Sequence, residues 1–223
     1  MVTVGPARVV GVDVGSVRSG FAWAAVDVPS GELSGAGRDP ESAVQALEAA
    51  LSEGRRAALI LESPVAVPVP AADENGWRDL GRARAGEGNR PWSAGAGAGV
   101  LATGLAQTAW ILSRLGSLRP GVTVTTQPAR WGNGGAALLL AEAFVSGTGK
   151  PVPTEAGQHA ADAEAAARGL AACLPGLADT PTDVTCEPHR SLNLLALSAQ
   201  WAGLAIRADE AQLDVHVVRA RPA

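Results

Sequence analysis

The fold is decided near the N-terminus, in the stretch Arg8-Val9-Val10-Gly11-Val12-Asp13-Val14-Gly15-Ser16-Val17-Arg18-Ser19-Gly20. Val9 to Val14 form a continuous apolar run, which is typical of a strand buried on both faces of a sheet. Asp13 interrupts this run near its end, and burying a carboxylate costs several kcal/mol unless a cation compensates it. Gly15 follows and permits a tight turn. We therefore expect a strand that presents one acid to a metal ion or a phosphate.

Composition and charge indicate an ordinary globular protein. The chain has 223 residues, 47% of them hydrophobic and 18% charged, which is enough for one large domain or a domain with an appendage. The formal net charge of −4 argues against a protein that coats nucleic acid non-specifically. A local basic patch remains open.

The sequence favours a cytoplasmic protein without a membrane partner. Cys173 and Cys186 are too few for a disulfide framework, as expected in a reducing compartment. No charged segment followed by an apolar one begins the chain, so no signal peptide is expected. We take Gly134 to Val145 as the longest weakly polar run, and it is shorter than the roughly 20 residues needed to span a bilayer.

Two further strands are expected after the first. Phe21 to Val28 and Glu32 to Gly37 are separated by a turn signal, so the three strands should form an antiparallel meander. Asp39 then precedes Pro40, which predicts a capped helix to about Ser52.

A second buried strand follows this helix and ends in an acid. Arg56 to Leu61 are mostly apolar, and Glu62 comes directly after them. A strand reached through a crossover helix should lie parallel to the first strand. Glu62 should then lie at the same edge of the sheet as Asp13, although a solvent-exposed acid at a strand end is the plainer alternative.

The segment 65–92 is irregular and rich in proline and glycine, as is typical of a functional or disordered loop. Arginines interleaved with tryptophans suit phosphates and unstacked bases. A solvated loop with two tryptophans docked on the body is the alternative. The candidate nucleic-acid contacts are Arg78, Arg82, Arg84, Arg90 and Trp92.

The middle of the chain predicts a long helix and shorter elements. Ser93 is a candidate cap for a helix from about Ala94 to Leu115. The elements expected next are a strand over Gly121–Thr126, a loop over Pro128–Gly135 and a short helix over Ala136–Val145.

A helix from Thr154 carries the next candidate ligands. His159 and Asp162 are three residues apart, so they project from one face, and the surrounding alanines would let the helix pack closely on a sheet. A surface pair is the alternative. The preceding Gly149-Lys150 is not a phosphate-binding loop, because Pro151 replaces the required Ser or Thr.

Residues 174–223 are interpreted as an extension packed on the same domain. It should contain a helix over Ser191–Leu204, whose apolar stripe suits core packing or a dimer surface, and a strand over Leu213–Val218. A homodimer therefore stays open. Whether Glu187, His189 and Arg190 join the site is also open.

Taken in order, these pieces resemble the ribonuclease H-like superfamily, and within it the RuvC-type Holliday-junction resolvases. The resemblance covers roughly residues 7–173, with 65–92 as an inserted loop. It is carried by Gly11-Val12-Asp13-Val14-Gly15-Ser16 with Gly20, Leu59-Ile60-Leu61-Glu62, Asn89-Arg90-Pro91-Trp92-Ser93 and His159-Ala160-Ala161-Asp162-Ala163.

The resemblance implies a mixed five-stranded α/β sheet flanked by helices, and a metal-dependent nuclease acting on nucleic acid, such as structured DNA. Asp13, Glu62, His159 and Asp162 would hold one or two Mg²⁺ or Mn²⁺ ions, with Asp13 bridging. Hard divalent ions prefer carboxylate oxygens, and two ions about 3.5–4 Å apart can activate water and stabilise the leaving oxygen.

Three features of the sequence depart from the resolvase pattern and leave other functions open. They are the acidic net charge, the 65–92 insertion and the tail after residue 174. An actin-like nucleotide-binding phosphotransferase or ATPase also has Asp-x-Gly-Ser after a strand, but it requires a second such domain. A non-catalytic binding module that keeps the fold is the third interpretation.

Overall fold

The computed structural model describes residues 5–73, 75–88, 91–145, 150–177 and 179–220, and these form an α/β protein with a mixed sheet flanked by helices. The strands are β1 (Ala7–Asp13), β2 (Ala22–Val28), β3 (Leu33–Gly37), β4 (Arg56–Glu62), β5 (Ala66–Val69), β6 (Val124–Thr125), β7 (Leu138–Phe144), β8 (Arg190–Asn193) and β9 (Val217–Arg219). The α-helices are α1 (Pro40–Ser52), α2 (Gly95–Leu118), α3 (Pro128–Gly132), α4 (Gln158–Cys173) and α5 (Leu194–Trp201).

The main sheet has the order β3-β2-β1-β4-β7-β6, and β9 also pairs with β7. The pairs β1–β2 and β2–β3 are antiparallel, whereas β4 is parallel to β1 and β7 is parallel to β4. The predicted meander and the parallel alignment of the first and fourth strands are therefore confirmed.

Helix α1 allows β4 to lie parallel to β1, because it returns the chain to the end of the sheet where β1 begins. Asp39 caps the helix as expected: its side chain accepts a hydrogen bond from the backbone N–H of Ser42 at 2.8 Å. Val44 and Leu47 are fully buried against the sheet. The capped crossover leaves β1 and β4 in register over seven residue pairs.

Helices cover both faces of the sheet. The core on one face contains Val10 and Val12 of β1 together with apolar residues of α1, α2 and α5. The core on the other face contains Val9 of β1, Ile60 of β4 and residues of α4. Alternation along β1 therefore divides its side chains between two cores.

Gly11 lets α4 lie directly on β1. A Cβ at this position would lie 2.3 Å from the carbonyl oxygen of Ala163 and 2.7 Å from the backbone nitrogen of Ala167. Because these are backbone atoms, a side chain at this position would displace the helix. The expectation that an alanine-rich helix packs closely on the sheet is confirmed.

The prediction of a helix over Ala136–Val145 is wrong. Leu138–Phe144 form β7, in the interior of the sheet between β4 and β6. Alanine, leucine and glutamate are strong helix formers, but burial on both sheet faces outweighs this local preference. Within the described residues the main sheet has seven strands, including β6, β7 and β9, so the prediction of five is also wrong.

Several element boundaries also differ from expectation. The insertion contains β5, which pairs antiparallel with β8, so the predicted helix over Ser191–Leu204 begins only at Leu194. Ser93 does not cap α2, since its hydroxyl donates to the carbonyl of Gly81 at 2.6 Å. The predicted loop after Thr126 contains the short helix α3.

Helix α2 is longer and more apolar than the sequence analysis recognised. Its 24 residues meet the length and composition criteria for a membrane-crossing helix, which core helices of soluble proteins also meet. Ile111, Leu112 and Leu115 are buried in the core shared with α1 and α5.

Candidate metal centre

Strands β1 and β4 place two acids side by side at one edge of the sheet. Asp13 and Glu62 are the last residues of these parallel strands and are paired with each other in the register. Paired residues in neighbouring strands point to the same face, here the face covered by α4. Asp13 is 7% exposed. The prediction that both acids lie at the same sheet edge is confirmed.

Helix α4 brings a third acid to this point. Asp162 lies in the first turns of the helix and is 3% exposed. One carboxylate oxygen from each of Asp13, Glu62 and Asp162 lies within 4.8 Å of the others. We call these three residues the carboxylate triad. Three elements separated in sequence converge on it, as the family resemblance implies.

His159 contacts the triad through Asp13. Its Nδ1 lies 2.5 Å from Oδ2 of Asp13, while the imidazole remains about half exposed. His159 and Asp162 thus lie on the face of α4 that meets the sheet edge. The geometry joins all four sequence-predicted residues, with His159 as the partner of one carboxylate.

The triad has more negative charge than its surroundings compensate. Burial, followed by the charges of Asp13 and Asp162, raises the pKa of Glu62 to about 9. Burial also raises the pKa of Asp13, against the lowering effect of His159. Glu62 Oε2 is buried without a hydrogen-bond partner among the described residues. Such a set cannot ionise fully unless a cation joins it.

Two further side chains orient Asp162. Gln158 Nε2 donates to Asp162 Oδ1 at 2.7 Å, and Lys150 Nζ lies 3.3 Å from Asp162 Oδ2. The Lys150 side chain is 44% exposed, so solvent weakens its compensation of the triad. Neither residue was predicted to belong to the site. The sequence signal that could have identified Gln158 is its position directly before His159 on the same helix.

The donor set fits a hard divalent cation. Clustered carboxylate oxygens are the ligands that Mg²⁺ and Mn²⁺ prefer, and the unpartnered Oε2 of Glu62 supplies a buried acceptor. A pocket of about 110 Å³ adjoins Asp13 and Glu62 and is bounded by Gly97 and Val100 of α2. The triad is therefore open on the α2 side.

Arg84 is not a candidate phosphate contact, which corrects the sequence prediction. Its side chain is 1% exposed and donates to both carboxylate oxygens of Glu142 at 2.7 Å. Glu87 accepts further hydrogen bonds from the same guanidinium at 3.1 and 3.2 Å. We call Arg84, Glu87 and Glu142 the arginine cluster. It anchors the insertion to β7, and Glu142 was missed because β7 was predicted as a helix.

The other predicted nucleic-acid contacts are nearer the surface. Arg78 lies over the ring of Trp77 at 5.5 Å, and Arg82 pairs with Asp79 at 3.0 Å with a side chain that is 65% exposed. Trp92 is half-buried, and its indole N–H donates to the carbonyl of Arg82 at 2.9 Å. Arg90 lies outside the described residues.

The tail residues whose role the sequence left open do not join the carboxylate triad. His189 Nε2 lies 3.8 Å from Asp79 of the insertion, and Glu187 is exposed. Arg190 begins β8 and donates to Gln212. The tight acidic group near Asp13 includes none of them.

In comparisons with known proteins, no family model, no curated protein and no solved structure matches the chain.

Proposed function

We propose that this protein is a Mg²⁺- or Mn²⁺-dependent nuclease that hydrolyses phosphodiester bonds. The observation that carries the proposal is the carboxylate triad of Asp13, Glu62 and Asp162, with oxygens within 4.8 Å of one another and no buried cation of the described chain among them. A bound divalent ion would offset this charge and could also bind the phosphate of a substrate.

The sheet topology supports assignment to the ribonuclease H-like superfamily, with the RuvC-type resolvases as the nearest resemblance. An antiparallel meander precedes strands parallel to its first member. The acids follow the pattern of that resemblance: one on the first strand, one on the fourth and one on a late helix.

The protein residues would hold and shape the metal site. Asp13, Glu62 and Asp162 would be the ligands, and His159 would fix one oxygen of Asp13 or bind the ion itself. Gln158 holds Oδ1 of Asp162, which leaves Oδ2 toward Lys150. When bound, one or two divalent ions would supply an activated water and stabilise the leaving oxygen. Lys150 could donate to a phosphate oxygen of the substrate.

Nucleic acid, in particular structured DNA, is the proposed substrate. The exposed Arg82 and the half-buried Trp92 belong to the insertion, whose arginine cluster includes Glu142 at the wall of the pocket beside the triad. The remaining basic residues would contact only a short length of the nucleic-acid backbone. Such a limited contact is compatible with the net charge of −4.

The test is cleavage of labelled single-stranded, duplex and four-way-junction DNA, with matched RNAs, in the presence of Mn²⁺. Wild type should cleave at least one substrate, Asp13→Asn should lose that activity, and Asp209→Asn should keep it. Asp209 is a suitable control because it is an exposed acid paired with Arg207. Cleavage unaffected by Asp13→Asn, or no cleavage of any substrate by the wild type, would contradict the proposal.

Two outcomes would favour the other functions. Hydrolysis of ATP that depends on Asp13 would indicate the nucleotide phosphotransferase alternative. Nucleic-acid binding without turnover, at saturating Mn²⁺, would indicate the non-catalytic module.

A further inference from the structure

A second concave site lies at the end of the sheet opposite the triad. Strand β4 runs from Arg56 to Glu62, so its two ends are about 20 Å apart at roughly 3.3 Å per residue. Around Arg56 the surface forms a concavity of about 680 Å³. Arg55, Arg56 and Arg119 line it, together with the turn at Pro120 and Gly121. No acidic residue of the described chain lines it.

Two of these guanidiniums are fixed by neutral partners. Arg56 Nη1 donates to the carbonyls of Trp131 and Gly132 at 2.7 and 3.1 Å, and its guanidinium lies 4.8 Å from the Trp131 ring centre. Arg119 donates to the hydroxyl of Ser52 and the carbonyl of Leu51, both at 3.1 Å. Fixed side chains have already lost the rotamer freedom that binding would otherwise remove.

The charges on this surface are unevenly compensated. Arg55 is neutralised by Asp27 at 3.1 Å and Glu53 at 2.7 Å. Arg56 has no carboxylate within 4.0 Å among the described residues, and the nearest carboxylate to Arg119 is Glu48 at 3.9 Å. Carbonyl partners leave the formal charge in place. The concavity therefore has positive charge that no lining residue cancels.

We propose that this concavity binds a phosphate group, and we call it the arginine pocket. Its volume falls in the range of about 300–1,000 Å³ usual for small-molecule sites, which suits a phosphorylated compound of nucleotide size. The planar fork of arginine matches phosphate oxygens in charge and geometry. The phosphate could belong to a free nucleotide or to a nucleic-acid backbone. The proposal is independent of the proposed nuclease, because this pocket is at the opposite edge and requires no metal.

The experiment is a calorimetric titration at low salt in the presence of EDTA. Inorganic pyrophosphate, ATP and a ten-nucleotide single-stranded DNA are added separately to the full chain. A free-nucleotide site should bind ATP and pyrophosphate more tightly than the DNA, whereas a backbone site should bind the DNA best and release it on addition of pyrophosphate. Asp13→Asn should bind all three like the wild type, which separates this pocket from the triad.

A matched pair at the pocket rim tests the charge without removing an arginine. Pro120 is exposed and lines the concavity. Pro120→Glu should weaken binding about tenfold by adding a negative charge, and Pro120→Gln should leave it within about twofold. Arg56→Gln and Arg119→Gln should each weaken it about tenfold, with the melting temperature recorded to identify loss of folding. Arg207→Gln, at an exposed ion pair that is not part of the pocket lining, should have no effect.

The absence of saturable binding for all three probes would overturn the proposal. Binding that is the same in Pro120→Glu and Pro120→Gln would overturn it as well, because the ligand would then lie elsewhere.

Discussion

Two buried carboxylate clusters lie at the same edge of the sheet, and they differ in what neutralises them. In the arginine cluster, Glu87 and Glu142 share the guanidinium of Arg84, and all three side chains are at most 1% exposed. Next to the carboxylate triad lie the half-exposed side chains of His159 and Lys150, and neither is buried with the acids as Arg84 is.

The register explains why such similar acids acquire different roles. Glu142 is paired with Leu61, one residue before Glu62, so the two acids point to opposite faces of the sheet. Glu142 meets the insertion, which brings Arg84. Glu62 meets α4, which brings another acid, Asp162. The first cluster contains its own cation, whereas the second contains three acids whose charge a divalent cation would offset under the proposed function.

The largest expected effect is on the arginine cluster. Arg84→Met should lower the free energy of unfolding by about 3–5 kcal/mol, because it leaves two buried carboxylates with backbone N–H donors and without the guanidinium that neutralises them. Arg82→Met is the matched control: its exposed pair with Asp79 should contribute about 0–1 kcal/mol. Urea unfolding of both variants measures the difference. Equal small effects would mean that the cluster is not a fixed internal ion pair.

In the carboxylate triad, removing an acid should raise the free energy of unfolding of the metal-free protein, whereas removing Arg84 should lower it. The pKa of Glu62 is raised to about 9 in the folded chain, so the folded state retains a proton that the unfolded state loses above about pH 4.5. Metal-free stability should therefore fall as the pH rises between these values. Glu62→Gln removes this penalty and should stabilise the protein at pH 8 in EDTA by roughly 2–4 kcal/mol.

Thermal or urea unfolding of wild type and Glu62→Gln at pH 5, 7 and 8 measures the pH effect. The difference should grow with pH. A stability difference that is constant from pH 5 to pH 8 would contradict the raised pKa. At saturating Mn²⁺ the order should reverse, because only the wild type offers the full set of ligands.

A third prediction tests the position of α4 without changing the charge of any metal ligand. Gly11→Ala places a Cβ against the backbone of α4, at Ala163 and Ala167, and should cost about 1–3 kcal/mol. By displacing α4, it should also weaken Mn²⁺ binding, although no ligand is altered. Gly99→Ala in α2 meets no atom within 4 Å and should be neutral or slightly stabilising. Unchanged Mn²⁺ affinity in a folded Gly11→Ala variant would show that α4 does not set the ligand geometry.

The smallest expected effect is the release of a proton when the metal ion binds. Because Glu62 is protonated at pH 7 without metal, ion binding should release nearly one proton from the wild type. The measured enthalpy of Mn²⁺ binding should then vary with the ionisation enthalpy of the buffer. Glu62→Gln should remove most of this variation. A wild-type enthalpy that is the same in all buffers would contradict it.

The triad was predictable from sequence, but the arginine cluster was not. Asp13 and Glu62 each end a β-rich apolar run, and one crossover helix fixes their relative direction, so local signals suffice. That His159 and Asp162 join them was implied by the family resemblance, because their helical spacing alone also suits a surface pair. Arg84 and Glu142 are 58 residues apart in the chain, and their contact depends on tertiary packing.

The misassigned β7 shows where local preference fails. Its sequence, Leu138 to Phe144, is dominated by helix-forming residues, and only its place between two strands makes it a strand. Arg84 was assigned to phosphate because arginines interleaved with tryptophans in an irregular segment suit phosphates and unstacked bases. Its burial depends on Glu142, whose strand was not recognised. One wrong element therefore produced one wrong functional residue.

The most direct test of the account is a calorimetric titration of Mn²⁺ into the wild type, Asp162→Asn and the exposed control Asp209→Asn. We expect saturable binding by the wild type and the control, and binding at least tenfold weaker in Asp162→Asn. No saturable binding by the wild type, or equal affinity in Asp162→Asn, would contradict the claim that the uncompensated carboxylates form a divalent-cation site.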